Sequence, residues 1–364
     1  AALRQMGVVV DEPDATSFIV TGHGYLAAPS EPLFLGNAGT ATRFLTAAAA
    51  LVDGVVVVDG DEAMRKRPIG PLVDALKSLG IGASAPTGCP PVTIAGKGNF
   101  GAGRVEIDGG LSSQYVSALL MAAAFGDGAI DVALTGQDLD ARGYVDLTVA
   151  AMTSFGGSVA PVDRTTWRVA PTKYRATDFV IEPDASAATY LWAAEALTGG
   201  RIDLGVPMDA FTQPDAKAAE FIRKFPHMPA VIDGSQMQDA VPTLAVLAAF
   251  NDTPVRFTGI ANLRVKECDR IRALSTELSR IQPGLAHEEG DDLVVVADPR
   301  LRSAAKRNAI TEIETYEDHR IAMSLALAGL RIGGITILNP DCVGKTYPGY
   351  WDALRSLGVT LTAT

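Results

Sequence analysis

Apolar and polar positions follow two periods along this chain. Short β-branched runs predict strands: Val55–Val58, Val92–Ala95, Val105–Ile107, Ile130–Leu134, Trp167–Ala170, Phe179–Ile181, Val255–Thr258, Leu293–Val296 and Ile335–Leu338. Longer stretches at helical spacing lie between them: Thr40–Leu51, Leu72–Leu79, Ser113–Phe125, Val145–Phe155, Ser186–Leu197, Ala216–Phe225, Asp239–Phe250, Val265–Ile281, His319–Leu330 and Tyr350–Leu357. Helices and strands interleave throughout, so the fold class is α/β or mixed α+β.

One phrase repeats along this pattern: a helix tail, a large apolar residue, a glycine and then a strand. It reads LRQMGV at 3–8, LKSLGI at 76–81, MTSFGGSV at 152–159 and LRSLGV at 354–359. Looser copies are FIRKFP at 221–226 and LSRIQPG at 278–284. The glycine suits a left-handed helix end, and the spacing predicts six αβ units, three on each side of Ala170–Thr177. That segment divides the chain into an N-terminal lobe, 1–175, whose first unit is incomplete, and a C-terminal lobe, 176–364.

Composition narrows the function classes. A chain of 364 residues with 48% hydrophobic and 20% charged residues is long enough for two cored globular domains. The net charge of −11 argues against nucleic acid or an anionic membrane as partner and makes any local cluster of cations conspicuous. No apolar run reaches membrane-spanning length, since Phe44–Val58 is interrupted by Asp53 and Gly54. Cys89, Cys268 and Cys342 are few and lack ligand spacing. The four histidines are scattered, so no metal site is expected, and a reducing, cytoplasmic setting is.

The cations gather at predicted helix heads. Leu263–Leu278 reads as one amphipathic helix with Lys266 and Arg270 four apart in its first turn. Like charges at that spacing, at the positive end of the dipole, are each slightly unfavourable, and an anion relieves both. Glu267 sits beside them as a possible acid or base. The plainer reading is a solvated face, with Asp269 answering Lys266. Gly36–Leu45 opens a helix with free backbone N–H groups and Arg43 in its first turn, without the Gly-Lys-Ser/Thr ending of a P-loop. Arg65, Lys66 and Arg67 precede Pro68, which can start a helix. Ser112 reads as a cap, and Ser113 and Gln114 offer hydrogen bonds to a phosphate or sugar-like hydroxyl. Asp239, His319 with Arg320, and Lys345 stand at further heads. If the heads of the two lobes face a common cleft, its cations would close on a multiply charged anion, with Asp239 and Glu267 as the carboxylates able to move protons. Transfer chemistry between two small anionic substrates follows, with no cofactor.

LFLGNAGTATRFL, RKRPIG, DGGLSSQY, NLRVKECDR, EDHRIAM and GKTYPGYW, in this order from about Leu33 to Leu357, together resemble the 5-enolpyruvylshikimate-3-phosphate synthase family. The resemblance implies a two-domain enolpyruvyl transferase fold, each domain three βαβαββ units with pseudo-threefold symmetry. It also implies transfer of the enolpyruvyl group of phosphoenolpyruvate to the 5-hydroxyl of shikimate 3-phosphate. Ser112, Ser113, Gln114, Asp239, Asn262 and Lys266 would then contact shikimate 3-phosphate, with Asp239 the base. Gly39, Arg67, Gln114, Arg270, Arg320 and Lys345 would hold phosphoenolpyruvate, with Glu267 the proton donor. Asn37 and His319 would orient neighbours, and Tyr144 would line the sugar-acid side. A monomer is expected.

Two departures qualify the resemblance. Where the family has Ser-Lys-Pro-Tyr or similar, this chain has Ala141-Arg142-Gly143-Tyr144, so a phosphate-binding serine is replaced. The family's opening Lys-Ser-x-Ser-x-Arg loop is not found, so a stretch of roughly fifty to sixty residues is expected ahead of Ala1. Without that loop the free polypeptide is expected to turn over very slowly. Turnover at the rate of a longer polypeptide carrying the loop would refute this. Two alternatives stay open: a non-catalytic remnant that binds shikimate 3-phosphate, and the transferase acting on UDP-N-acetylglucosamine, which carries a reactive cysteine in a mobile loop.

Overall fold

The computed structural model describes residues 1–108, 110, 112–135, 142–303 and 310–362. They form two compact units, Ala1–Val180 and Ile181–Thr364, each with its own buried core.

The first unit contains the succession strand Leu33–Phe34, helix Gly39–Ala48, strand Asp53–Asp59, helix Gly70–Ser78 and strands Gly82–Ser84 and Val92–Lys97. The Leu33 strand runs parallel to Asp53–Asp59, which pairs antiparallel with Val92–Lys97, and Gly82–Ser84 takes the far edge. The same order and directions recur in Gly103–Asp108, Ser113–Ala123, Ile130–Thr135, Arg142–Ser154, Ser158–Pro161 and Thr166–Ala170. They recur once more in the second unit, from Val231–Asp233 through Val241–Ala249, Val255–Thr258, Arg270–Ile281 and Ala286–Glu289 to Asp292–Val295. Three stretches thus carry the whole βαβαββ pattern. Parts of it appear in helix Ala2–Gln5 with the hairpin Val9–Asp14/Ser17–Thr21. They also appear in Thr311–Ile313 and Ile335–Ile337, parallel strands joined through helix His319–Ala326.

The repeated phrase explains how helices hand over to strands. Gly7, Gly80, Gly156 and Gly358 all have φ between 77° and 88°. At each, the glycine and the residue after it donate back to the last helical carbonyls, as in Gly80 N to Lys77 O and Ile81 N to Leu76 O. A side chain at that φ costs stability, so glycine stops the helix at one fixed residue and aims the chain into the next strand.

Each unit is built around three packed helices. In the first, Gly39–Ala48 and Arg142–Ser154 pack on Ser113–Ala123. In the second, Ala185–Thr198 and His319–Ala326 pack on Val241–Ala249, whose nine residues are all buried. A helix apolar all round belongs inside a core. Hydroxyls stitch these inner helices where burial leaves no water: Ser117 to Thr148 at 2.8 Å, Thr189 to Thr243 at 3.1 Å, and Thr243 to Ser324 at 3.4 Å.

Several predicted elements differ from the observed ones. His319–Leu330 is split into helices His319–Ala326 and Gly329–Ile332, and Ala216–Phe225 narrows to helix Ala218–Ile222 after a 3-10 turn, Pro214–Lys217. Leu263–Leu278 is not one helix. A 3-10 turn spans Ala261–Val265, residues 266–269 are irregular, and the helix runs Arg270–Ile281. The Asp269 side chain accepts from Arg272 N at 3.1 Å, and this cap sets the start. Phe179–Ile181 is not a strand. Val180 and Ile181 are 93% and 81% exposed, and β propensity without a neighbouring strand builds no ladder.

Gly96 marks a close approach between sheet and helix. A Cβ there would lie 2.7 and 2.8 Å from the carbonyl oxygens of Ala49 and Ala50, and nearer still to that of Val52. Gly96→Ala is therefore expected to destabilise the first unit by about 3 kcal/mol. Gly22→Ala, where nothing lies within 4 Å, should be nearly neutral. Urea titration of the two variants reads the difference.

Candidate active site

In the second unit, four segments bring charge to one place. Asp239 lies in the 3-10 turn Gln238–Ala240 that leads into the Val241–Ala249 helix. Lys266 and Glu267 lie in the irregular link ahead of the Arg270–Ile281 helix, and Asp318 and Arg320 open His319–Ala326. Lys345 ends the turn Pro340–Lys345.

Arg270, 1% exposed, is the hub. Its Nε donates to Asp318 Oδ2 at 2.7 Å, Nη1 to Asp239 Oδ1 at 2.8 Å and Nη2 to Glu267 Oε2 at 2.7 Å. Each outer carboxylate then meets a second cation. Arg320 Nη2 donates to Asp239 Oδ2 at 2.9 Å, and Lys345 Nζ donates to Glu267 Oε1. Asp318 Oδ1 caps the helix by accepting Arg320 N at 2.8 Å. Tyr190 OH accepts from Arg320 Nη1 at 3.4 Å.

This pairing sets the protonation states. Burial works against the Asp239 carboxylate, but Arg320, Lys266 and Arg270 outweigh it and hold the group ionised, far below the usual carboxylate range. Burial likewise opposes the charge on Arg270, and Asp318, Glu267 and Asp239 keep it protonated. Burial, with Asp318 beside it, pushes the Cys268 thiol up, away from a reactive thiolate. His319 is 3% exposed, and neither ring nitrogen has a hydrogen-bond partner. Burial and then the Arg320 charge push it down to about 3 despite Asp318, so the ring is neutral.

The first unit gathers a second group. Arg43 donates to Gly39 O and to Pro68 O, each at 3.1 Å, while Tyr115 OH donates to Pro68 O at 2.5 Å. Arg67 Nη1 donates to Asn37 Oδ1 at 3.4 Å, and Gln114 Nε2 to Thr40 Oγ1 at 2.9 Å. A Cβ on Gly39 would meet guanidinium nitrogens of Arg43 and Arg67 at 2.8 Å. Glycine there lets two buried arginines lie against the head of the Gly39–Ala48 helix. Ser112 Oγ accepts Gln114 N at 3.2 Å, the cap expected of it, and Ser113 is buried beside it.

Most of the sequence-predicted residues fall into these two groups, and several details change. Lys266 and Arg270 do not share a helical turn, because the cap at Asp269 intervenes. Asp269 answers Arg264 at 2.8 Å. Arg270 has its counter-charges already, in three carboxylates of the chain. The proline at a helix start is Pro71, in Gly70–Ser78, not Pro68. Arg142 donates to Arg164 O at 2.6 Å and stacks over Trp167, while Ala141 lies outside the described residues. Asn262 is buried with Oδ1 unbonded, and the Tyr144 hydroxyl is buried in the first unit. Asp318 and Tyr190 escaped the sequence reading. The signal for Asp318 was present, an acid directly before His319 and Arg320. Tyr190 sits in an apolar helix and reads as core.

Known proteins share this architecture. An EPSP synthase from Acinetobacter baumannii superposes with a TM-score of 0.74 at 23% identity, over 100% of this chain and 87% of that one. The enolpyruvyl transferase NikO from Streptomyces tendae gives 0.66 at 16% identity, over 100% and 86%. The fold is that of the enolpyruvyl transferases. The profile of the EPSP synthase (3-phosphoshikimate 1-carboxyvinyltransferase) family matches residues 1–224 and 205–354, and the chain belongs to that family. A 3-phosphoshikimate 1-carboxyvinyltransferase from Rhizobium etli is 72% identical over 359 residues, 99% of this chain and 85% of the relative. One from Pseudomonas savastanoi pv. phaseolicola is 70% identical over 98% and 85%, and a chloroplastic one from Nicotiana tabacum 37% identical over 97% and 74%.

His319 makes the second unit acid-sensitive. In the unfolded chain it takes a proton near its ordinary value of about 6.5, and in the folded chain near 3. Between the two, unfolding takes up a proton, so stability falls as pH falls, by up to about 1.4 kcal/mol per pH unit from this group. His319→Asn is expected to flatten the stability curve by about that slope between pH 4 and 6. An unchanged slope in urea titrations would refute a buried neutral ring.

Proposed function

We propose that this chain transfers the carboxyvinyl group of phosphoenolpyruvate to the 5-hydroxyl of shikimate 3-phosphate and releases phosphate. Family membership and the high identity to named 3-phosphoshikimate 1-carboxyvinyltransferases support the activity. The observation that carries the division of labour is that one buried guanidinium, Arg270, is shared by Asp239 and Glu267.

In this reading Gly39, Arg67, Gln114, Arg270, Arg320 and Lys345 bind phosphoenolpyruvate, and Ser112, Ser113, Gln114, Asp239, Asn262 and Lys266 bind shikimate 3-phosphate. Before substrate binds, both carboxylates are paired with cations, and Arg320, Lys266 and Arg270 hold Asp239 ionised, so it is a weak base. The phosphate and carboxylate of phosphoenolpyruvate compete for Arg270, Arg320 and Lys345. As those cations turn to the substrate, Asp239 gains proton affinity. Asp239 then takes the 5-hydroxyl proton as the oxygen attacks C2, and Glu267 protonates C3. Phosphate then leaves C2 with the proton held by Asp239, while Glu267 takes a proton back from the C3 methyl and the double bond re-forms, the oxyanions staying among the cations throughout. The chemistry needs no metal or redox cofactor. We place the protein in the cytoplasm as a monomer; its three free cysteines support the compartment.

Glu267→Gln is expected to lower kcat by about 10²–10⁴-fold, read as phosphate release with both substrates present. Turnover in D2O should place deuterium in the product methylene. A Glu267→Gln variant that turned over and incorporated deuterium at the wild-type rate would eliminate it as the donor. Gly39→Ala pushes a methyl against Arg67 and Arg43. It should raise the KM for phosphoenolpyruvate by about tenfold and leave that for shikimate 3-phosphate within about twofold.

A further inference from the structure

Glu277 is a carboxylate that the chemistry above does not use. It lies on the Arg270–Ile281 helix two turns beyond Arg270, and its side chain is fully buried. A buried charge is costly unless its bonds are filled. Its bonds go to one loop: Oε2 accepts Glu314 N at 3.1 Å, and Oε1 accepts Tyr316 OH at 2.7 Å. Arg280, half-exposed, adds a contact at 3.2 Å.

That loop is bent against its own preference. Tyr316 and Glu317 have φ of 54° and 58°, two consecutive left-handed residues without glycine. The next residue is Asp318, which binds Arg270 and caps the helix that carries Arg320. One helix therefore carries Arg270 as its first residue and, through Glu277, holds the loop that must deliver Asp318 to it.

We propose that Glu277 is a positioning residue for phosphoenolpyruvate binding. It holds Tyr316–Glu317 in the left-handed bend, so that Asp318 keeps Arg270 in place and Arg320 starts its helix at the right point. The consequence for substrate rests on the reading of Arg270 and Arg320 given above; the brace itself does not.

The test uses the whole chain and three variants: Glu277→Gln, Glu317→Gly and the two combined. Glycine adopts the bend without strain, so the double variant should recover what the single one loses. Two readouts separate the brace from the function. Hydrogen exchange at Arg270 Nε, followed by NMR, should quicken about tenfold or more in Glu277→Gln while the amides of Val241–Ala249 stay protected, and should slow again in the double variant. In turnover, the KM for phosphoenolpyruvate should rise about tenfold with kcat within about threefold and the KM for shikimate 3-phosphate within about twofold, again with recovery. A wild-type chain that ignores phosphoenolpyruvate would sink the functional reading and leave the exchange result to decide the brace. Unchanged exchange at Arg270, or a uniform loss that Glu317→Gly does not restore, would overturn the inference. Should Glu277→Gln fail to fold, Tyr316→Phe removes one bond of the brace and is read by the same two measurements.

Discussion

The guanidinium of Arg270 is the interaction on which the second unit's site depends. It is buried and touches Asp318, Asp239 and Glu267 at once. A charge taken out of water in this way is tolerable only when geometry fills its donors, and losing one partner from such a set typically costs about 3–5 kcal/mol. The carboxylates are therefore not independent groups that happen to lie close together. All three are held by the same cation, and Asp239 and Glu267 are each completed by a further one, Arg320 and Lys345.

The two units handle their cations differently. In the first, Arg43 and Arg67 donate to carbonyl and amide oxygens, which orient a guanidinium. In the second, the arginines face carboxylates, which orient and neutralise together. Any anion that binds Arg270 or Arg320 must therefore displace internal carboxylates. In the proposed reaction, that competition is what makes a carboxylate as strongly ionised as Asp239 usable in proton transfer. Binding and proton affinity are linked through the same nitrogen atoms.

Several features were legible in the chain because they depend on neighbours in sequence. The handover glycines at Gly7, Gly80, Gly156 and Gly358 carry their meaning in a local φ, so their recurrence announced the repeat. The Ser112 cap needed only the helix that follows it. The helix starting at Arg270 was misread for an equally local reason. Lys266 and Arg270 match helical spacing, and periodicity does not register that the Asp269 side chain competes for the backbone at that point. Phe179–Ile181 failed for the opposite reason, since a strand is defined by a partner that its own residues do not specify.

By itself the sequence determined the alternation of helices and strands, the glycines at which four helices stop, and the family through which candidate catalytic side chains could be named. These follow from backbone preferences and short-range hydrogen bonds, which act within a few residues. Only the tertiary structure decided which charges meet. Arg270 finds Asp318 across 48 positions and Lys345 finds Glu267 across 78, distances at which no pattern along the chain ranks one partner over another. That choice belongs to tertiary packing, and for Arg270 and Asp318 burial demands that the charge be matched in three dimensions.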